Sequence, residues 1–244
     1  MRVGLITDIH ANLEALETIL RVMESEKVDY LACLGDVVGY GSQPNECCDL
    51  VRKHADVTVL GNHDAAVTGR MDYSYYQLAA REALDWHRQE LNDENLAWLA
   101  SLPYNYIYKN IEFCHGSPVV LEDFEYVFVL DQMRDIVASY ESRAHVTFIG
   151  HSHLCKSFSY DREAAEEILT TRFSVAPDRK YIITGGSVGQ PRDYDTRSCC
   201  GIYDIDGAEF EYHRLDYDIE SAARKIFFAT KLSVAFGKRL FLGV

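Results

Sequence analysis

Nine side chains able to ligate a metal or move a proton fall in five short segments of this 244-residue chain. The segments are Asp8-Ile9-His10, Gly35-Asp36-Val37-Val38-Gly39, Gly61-Asn62-His63-Asp64, His115-Gly116 and Gly150-His151-Ser152-His153. Five of the nine histidines lie in them. Asp8 and His10 are two residues apart, so in extended chain both would point to one side, and His151 and His153 repeat the spacing. Asp36 and Asn62 add oxygen donors and His115 adds a nitrogen. Imidazole, carboxylate and amide donors without thiolate suit a borderline divalent ion such as Mn, Fe, Co, Ni or Zn. Seven donors (Asp8, His10, Asp36, Asn62, His115, His151, His153) exceed one tetrahedral shell. They suit two ions about 3.5–4 Å apart that share a carboxylate, the arrangement that clamps an in-line displacement at phosphorus.

Such groups must be held at strand ends, and the apolar pattern supplies the strands. Arg2–Thr7, Tyr30–Leu34 and Val57–Leu60 read as strands that each run into one of these segments. Between them lie helix patterns: Leu13, Leu16, Ile19, Leu20 and Met23 behind an Asn12 cap, then Asn45–Lys53. This rhythm predicts βαβ units and a parallel sheet. Helices are expected over Ser74–Glu90 and Asp93–Leu102, stopped by Pro103, and a hairpin over Tyr104–Tyr108 and Ile111–Cys114. Val146–Ile149, Lys180–Thr184, Gly201–Ile205 and Phe210–His213 read as later strands, Ile219–Thr230 as a closing helix, and 231–244 as a docked tail. With no repeat and no composition break, one domain over 1–244 is expected, with a helical insert or cap around 70–103. Met71, Tyr73, Tyr75, Tyr76 and Trp86 in that insert read first as packed core and second as a lid or pocket wall. Val119–Leu130 carries no chemistry that the residue types reveal.

Composition narrows the function. The formal charge of −14 disfavours stable nucleic-acid binding and anionic membrane, but not a small anion at a locally positive site. No apolar run reaches the roughly 18–20 residues of a membrane span. Seven cysteines without CxxC, and an N-terminus without a secretory pattern, fit reduced thiols in a cytoplasmic protein.

Taken in order, the five segments resemble the signature of the calcineurin-like metallophosphoesterases (D-x-H, G-D-x-x-x, G-N-H-[DE], H, G-H-x-H). Gly185-Gly186-Ser187 resembles the loop that follows them in the bacterial and archaeal phosphodiesterase branch. The resemblance implies an α/β fold, a four-layer α-β-β-α sandwich of two packed mixed sheets with flanking helices. It implies two divalent transition-metal ions, manganese foremost, with Fe, Zn, Ni or Co as alternatives. Asp8, His10, Asp36 and His153 would hold one ion. Asp36, Asn62, His115 and His151 would hold the other, with Asp36 bridging. His63 would stabilise the phosphoryl oxygens or protonate the leaving group, Asp64 would hydrogen-bond and orient His63, and the nucleophile would be a metal-bridging hydroxide. The phosphoprotein-phosphatase branch places Asp-Arg-Gly where this chain has Gly39-Tyr40-Gly41, so that arginine clamp is missing. Arg192 would replace it if its loop reaches the site, or else form a surface salt bridge. Tyr40 would contact substrate or pack the loop.

The function expected from all this is a phosphodiesterase acting on small phosphodiester or nucleotide-type substrates. A phosphomonoesterase or protein phosphatase, or a dinucleoside polyphosphate hydrolase, stands second, and a non-catalytic protein-binding scaffold after these. Oligomeric state is open.

Overall fold

The computed structural model describes residues 1–229 and 231–244. Its frame is two six-stranded mixed sheets packed face to face. The first runs β3 (Val57–Thr58), β2 (Tyr30–Cys33), β1 (Arg2–Ile6), β11 (Ser198–Asp204), β12 (Glu209–Leu215), β9 (Arg172–Ser174). The second runs β4 (Asn105–Tyr108), β5 (Ile111–Cys114), β6 (Val146–Ile149), β10 (Lys180–Thr184), β7 (Ser157–Tyr160), β8 (Ala165–Ile168).

Side-chain alternation makes the layers. Val3 and Leu5 of β1, Val146 and Phe148 of β6, and Tyr181 and Ile183 of β10 point between the sheets. Ile6, Cys200 and Ile202 point outward, under α1 (Leu13–Ser25) and α2 (Pro44–His54). On the far side Ile149, Phe158 and Ile182 are covered by Met133 and by Ile136 of α6 (Arg134–Ala138). The expected four-layer arrangement is therefore the observed one. β1, β2 and β3 pair in parallel, as βαβ units require, whereas β11, β12 and β9 extend the same sheet antiparallel.

Several expected elements differ in extent. The helix expected from Ser74 starts at Leu78 as α4 (Leu78–Glu90), because Asp72 accepts from the Ser74 N–H at 2.9 Å and holds a turn there. The strand expected to Leu60 stops at Thr58, where the chain bends toward the Gly61 turn. Strands β7, β8 and β9 were outside the expectation: Ala-Glu-Glu-Ile and Arg-Phe-Ser lack a strand's apolar alternation and owe their form to pairing with β7 and β12. The closing helix is α7 (Ile219–Phe228), and its expected end at Thr230 lies outside the described residues. Beyond it α8 (Val234–Leu240) buries Phe236 and Leu240 against α7 and Ala83 of α4, so the tail is docked. No helix among the described residues is long and apolar enough to cross a membrane.

Candidate metal centre

The five segments converge at the carboxyl ends of β1, β2, β5 and β6 and at the first turn of α3 (Asn62–Val67). The spacing argument holds in result but not in cause. Asp8, His10, Asp36, His151 and His153 all have left-handed backbone, with φ between 49° and 67°, so neither D-x-H nor H-x-H is extended. Strain of this kind persists only where neighbours enforce it. Here the N–H groups of Asp8, His10 and Ala11 donate to the carbonyls of Gly35, Asp36 and Val37 at 2.9–3.1 Å, which winds the two loops together. Gly61 is required at its position, because a Cβ there would fall on Asp36. Gly39, at φ 99°, leaves room for His63 Nδ1 in the same way.

The hydrogen bonds fix which atoms face inward. His10 Nδ1 lies 2.9 Å from the Val38 carbonyl, His153 Nδ1 2.6 Å from that of Gln190, and His115 Nδ1 2.7 Å from that of Leu34. A carbonyl can only accept, so each Nδ1 carries a proton and each Nε2 is the nitrogen left to face inward. Those Nε2 atoms face acceptors. His10 and His153 oppose each other at 3.1 Å, and His115 faces Asn62 Oδ1 at 3.0 Å and Asp36 Oδ2 at 3.4 Å. Asp8 Oδ2 is tied to Thr7 Oγ1 and to the His151 N–H, while Asp8 Oδ1 is buried without a partner, 3.3 Å from His153 Nε2. Asp36 Oδ1 accepts from the His63 N–H at 2.8 Å, which leaves Oδ2 between His115 and His10. Asn62 Nδ2 donates to the Tyr76 hydroxyl at 2.6 Å and so turns Oδ1 inward. Lone pairs pressed together in this way repel one another, and a cation among them relieves the repulsion. The donor set fits divalent metal: Asp8, His10 and His153 form one group with ligand atoms within 4.8 Å of one another, and Asp36, His115 and His151 form another. A third such group joins His10 and Asp36 to His63.

Burial sets the charges. It pushes His10, His151 and His153 well below the ordinary imidazole range, leaving them neutral, the form that ligates. It raises the Asp8 carboxyl to about 7 against the pull of His115. At Asp36 burial also acts upward, but the nearby His115, His63 and His10 outweigh it and hold the carboxyl low. His115 is the reciprocal case: burial opposes its charge, Asp36 favours it, and the result is about 9, so in the free protein Nε2 holds a proton toward Asp36 that a bound cation would displace.

Two expectations about neighbours change. Asp64 does not touch the His63 side chain. Its carboxylate accepts from the N–H groups of Val37, Val38 and Gly61, because the first turn of α3 aims it back into the Asp36 loop, and His63 Nδ1 is buried without a partner. Of the insert aromatics, Met71, Tyr75 and Tyr76 line the cavity over the metal centre, whereas Tyr73 and Trp86 pack elsewhere. Arg192 does reach this cavity, which measures about 900 Å³, and so does Tyr40, whose ring lies 4.6 Å from that of His63.

Sequence reasoning passed over two residues. Tyr126, 44% exposed, stacks on His151 at 3.9 Å from within Val119–Leu130, where no residue pattern marks it. His87 is fully buried on α4, accepting from the Gly39 N–H at 2.9 Å and donating from Nε2 to the Gly41 carbonyl at 2.8 Å. Its position on the apolar face beside Ala83 and Leu84 was the available signal.

The family model for calcineurin-like phosphoesterases matches residues 1–187. An uncharacterized protein of Methanocaldococcus jannaschii is 36% identical over 99% of this chain and 98% of its own length. The crystal structure of a metallophosphoesterase from Sphaerobacter thermophilus superposes with a TM-score of 0.84 at 34% identity, covering 100% of this chain and 99% of that one. A hypothetical protein from Pyrococcus horikoshii shares the fold at a TM-score of 0.80 and 18% identity, covering 100% of this chain and 98% of the other.

Proposed function

The chain belongs to the calcineurin-like phosphoesterases, and from that premise we propose that it is a dinuclear-metal-dependent phosphodiesterase of small phosphodiester or nucleotide-type substrates. One observation carries the reading: His10 Nε2 and His153 Nε2 face each other at 3.1 Å with both Nδ1 protons committed to carbonyls, beside an unpartnered Asp8 Oδ1. Asp8, His10, Asp36 and His153 would hold one ion. Asp36, Asn62, His115 and His151 would hold the second, with Asp36 common to both. When bound, two divalent ions, manganese foremost, supply Lewis acidity toward the phosphoryl oxygens and lower the pKa of the attacking water.

The chain's own residues do the rest. His63 Nδ1 is the unengaged group beside the centre; burial outweighs Asp36 and holds the free ring down to about 4, and the negative charge of a bound phosphoester would raise it. It stabilises charge on the phosphoryl oxygens or protonates the leaving group. Asp64 holds the Asp36 loop through the N–H groups of Val37 and Val38 and ties it to the Gly61 N–H, which sets the position of the Asp36 carboxylate. Arg192 supplies a cation to the substrate, and Tyr40 walls the site beside His63. A cavity of about 900 Å³ has room for substituents on both ester oxygens, which favours a diester over a monoester.

The test is hydrolysis by apo-protein reconstituted with Mn, Ni, Co, Zn or Mg. Bis-p-nitrophenyl phosphate is expected to turn over faster than p-nitrophenyl phosphate, only with added metal, and far more slowly in His63→Ala. A preference for the monoester would make the enzyme a phosphomonoesterase. Metal-independent turnover would overturn the mechanism.

A further inference from the structure

Three arginines line the cavity over the candidate metal centre: Arg134, and on the Tyr40 side Arg192 and Arg239. Arg192 donates to Gln190 Oε1 at 2.9 Å, while its Nε is buried without a partner. Arg239 donates from Nε at 2.8 Å to an oxygen of the terminal Val244, and its other guanidinium nitrogens have no Asp or Glu partner among the described residues. Among the described residues, no Asp or Glu carboxylate lies within 4.0 Å of either. Other arginines at this end are paired, Arg197 with Asp195 at 2.7 Å and Arg214 with Asp193. In a chain of net charge −14, a half-buried Arg192 whose Nε has no partner, set beside the same cavity as Arg239, is a cost that an arriving anion lowers.

Tyr40 gathers them. Its ring lies 4.6 Å from His63, 4.9 Å from Phe236 and 5.7 Å from the Arg192 guanidinium. Phe236 and Arg239 are three residues apart on α8 and so share a face. Burial lowers the Arg239 pKa and the like charge of Arg192 lowers it further, which places the two cations within each other's field. The cavity wall that carries Asp123, Glu125, Asp131 and Asp135 holds Arg134 as its one arginine and is net acidic, so a second negative group of a ligand is favoured on the Tyr40 side. Both arginines also lie beyond residue 187, where the family match ends. The shared metal-binding part of the chain does not supply them.

We propose that Arg192 and Arg239, set against Tyr40 and Phe236, form a subsite for a second phosphate of the substrate, separate from the phosphorus at the metal centre. This rests on the phosphoesterase reading and narrows the substrate to a phosphodiester that carries a distal phosphate, of nucleotide size. Two charge-assisted contacts make the distal phosphate worth about tenfold or more in kcat/KM.

The test compares thymidine 5′-(p-nitrophenyl phosphate) with its 3′-phosphorylated counterpart, which share the attacked diester and the leaving group. The metal-loaded wild type should favour the 3′-phosphorylated ester by about tenfold. The ratio should collapse toward one in Arg239→Gln and recover partly in Arg239→Lys. Calorimetric titration with thymidine 3′,5′-bisphosphate and with thymidine 5′-monophosphate gives a readout independent of turnover. The bisphosphate should bind the wild type more tightly, and less so as salt is raised. Hydrolysis of both esters without discrimination would remove the subsite and leave the phosphodiesterase standing. Arg239-dependent bisphosphate binding with neither ester hydrolysed would do the reverse. The wild-type ratio decides the matter even if a variant fails to fold.

Discussion

His63 is the residue on which turnover should depend while metal content does not. Its ring sits beside the ligand groups with Nδ1 unengaged, so His63→Ala should retain bound metal, by elemental analysis, and lose about 10²–10⁴-fold in kcat. Unchanged turnover would remove it from the chemistry. Asp36→Asn should act the other way. Oδ2 stands between His10 and His115, so losing its charge should reduce bound metal below two per chain and turnover with it. At this scale the sequence was informative, because Asp, Asn and His in turn-type strings make poor strand filler. The left-handed backbone of Asp8, His10, Asp36, His151 and His153 was not legible. It goes with hydrogen bonds between distant loops: the His10 N–H donates to Asp36 O, and the His151 N–H donates to Asp8 Oδ2, 143 residues away. Asp64 was misjudged for the same reason: its partners are backbone N–H groups, which residue types do not advertise.

At the scale of elements, α4 is the support of the Gly39–Gly41 loop. His87 holds the Gly39 N–H and the Gly41 carbonyl at once, and burial holds its pKa to about 4, so it stays neutral in a fixed tautomer. His87→Ala should orphan both backbone groups and destabilise the fold by about 3 kcal/mol, seen as a lower urea midpoint at unchanged m-value. A change below about 0.5 kcal/mol would mean that water replaces the ring. The parallel β1–β3 core was legible because buried strands read as apolar runs broken by Gly. β8 and β9 were not, since charged residues such as Glu166, Glu167 and Arg172 become strand only through their partners. Tyr126 owes its place over His151 to tertiary packing alone.

For the whole molecule, the sheets gather buried Asp8, Asp36 and Asp64 with the inward Nε2 atoms of His10, His115 and His153 into one small volume. Cations bound there would compensate such an assembly, so folding and metal binding should be linked. Chelation should lower Tm by about 10 °C, which corresponds to about 4 kcal/mol of linkage in a chain this long. A Tm indifferent to chelator would mean that the cluster satisfies itself by protonation. The most direct test of the dinuclear centre is a titration of apo-protein with Mn²⁺, following bound metal and hydrolysis of bis-p-nitrophenyl phosphate in the same samples. Binding should saturate at two ions per chain, with turnover rising as the second site fills. Saturation at one ion, or full turnover before any metal is bound, would contradict it.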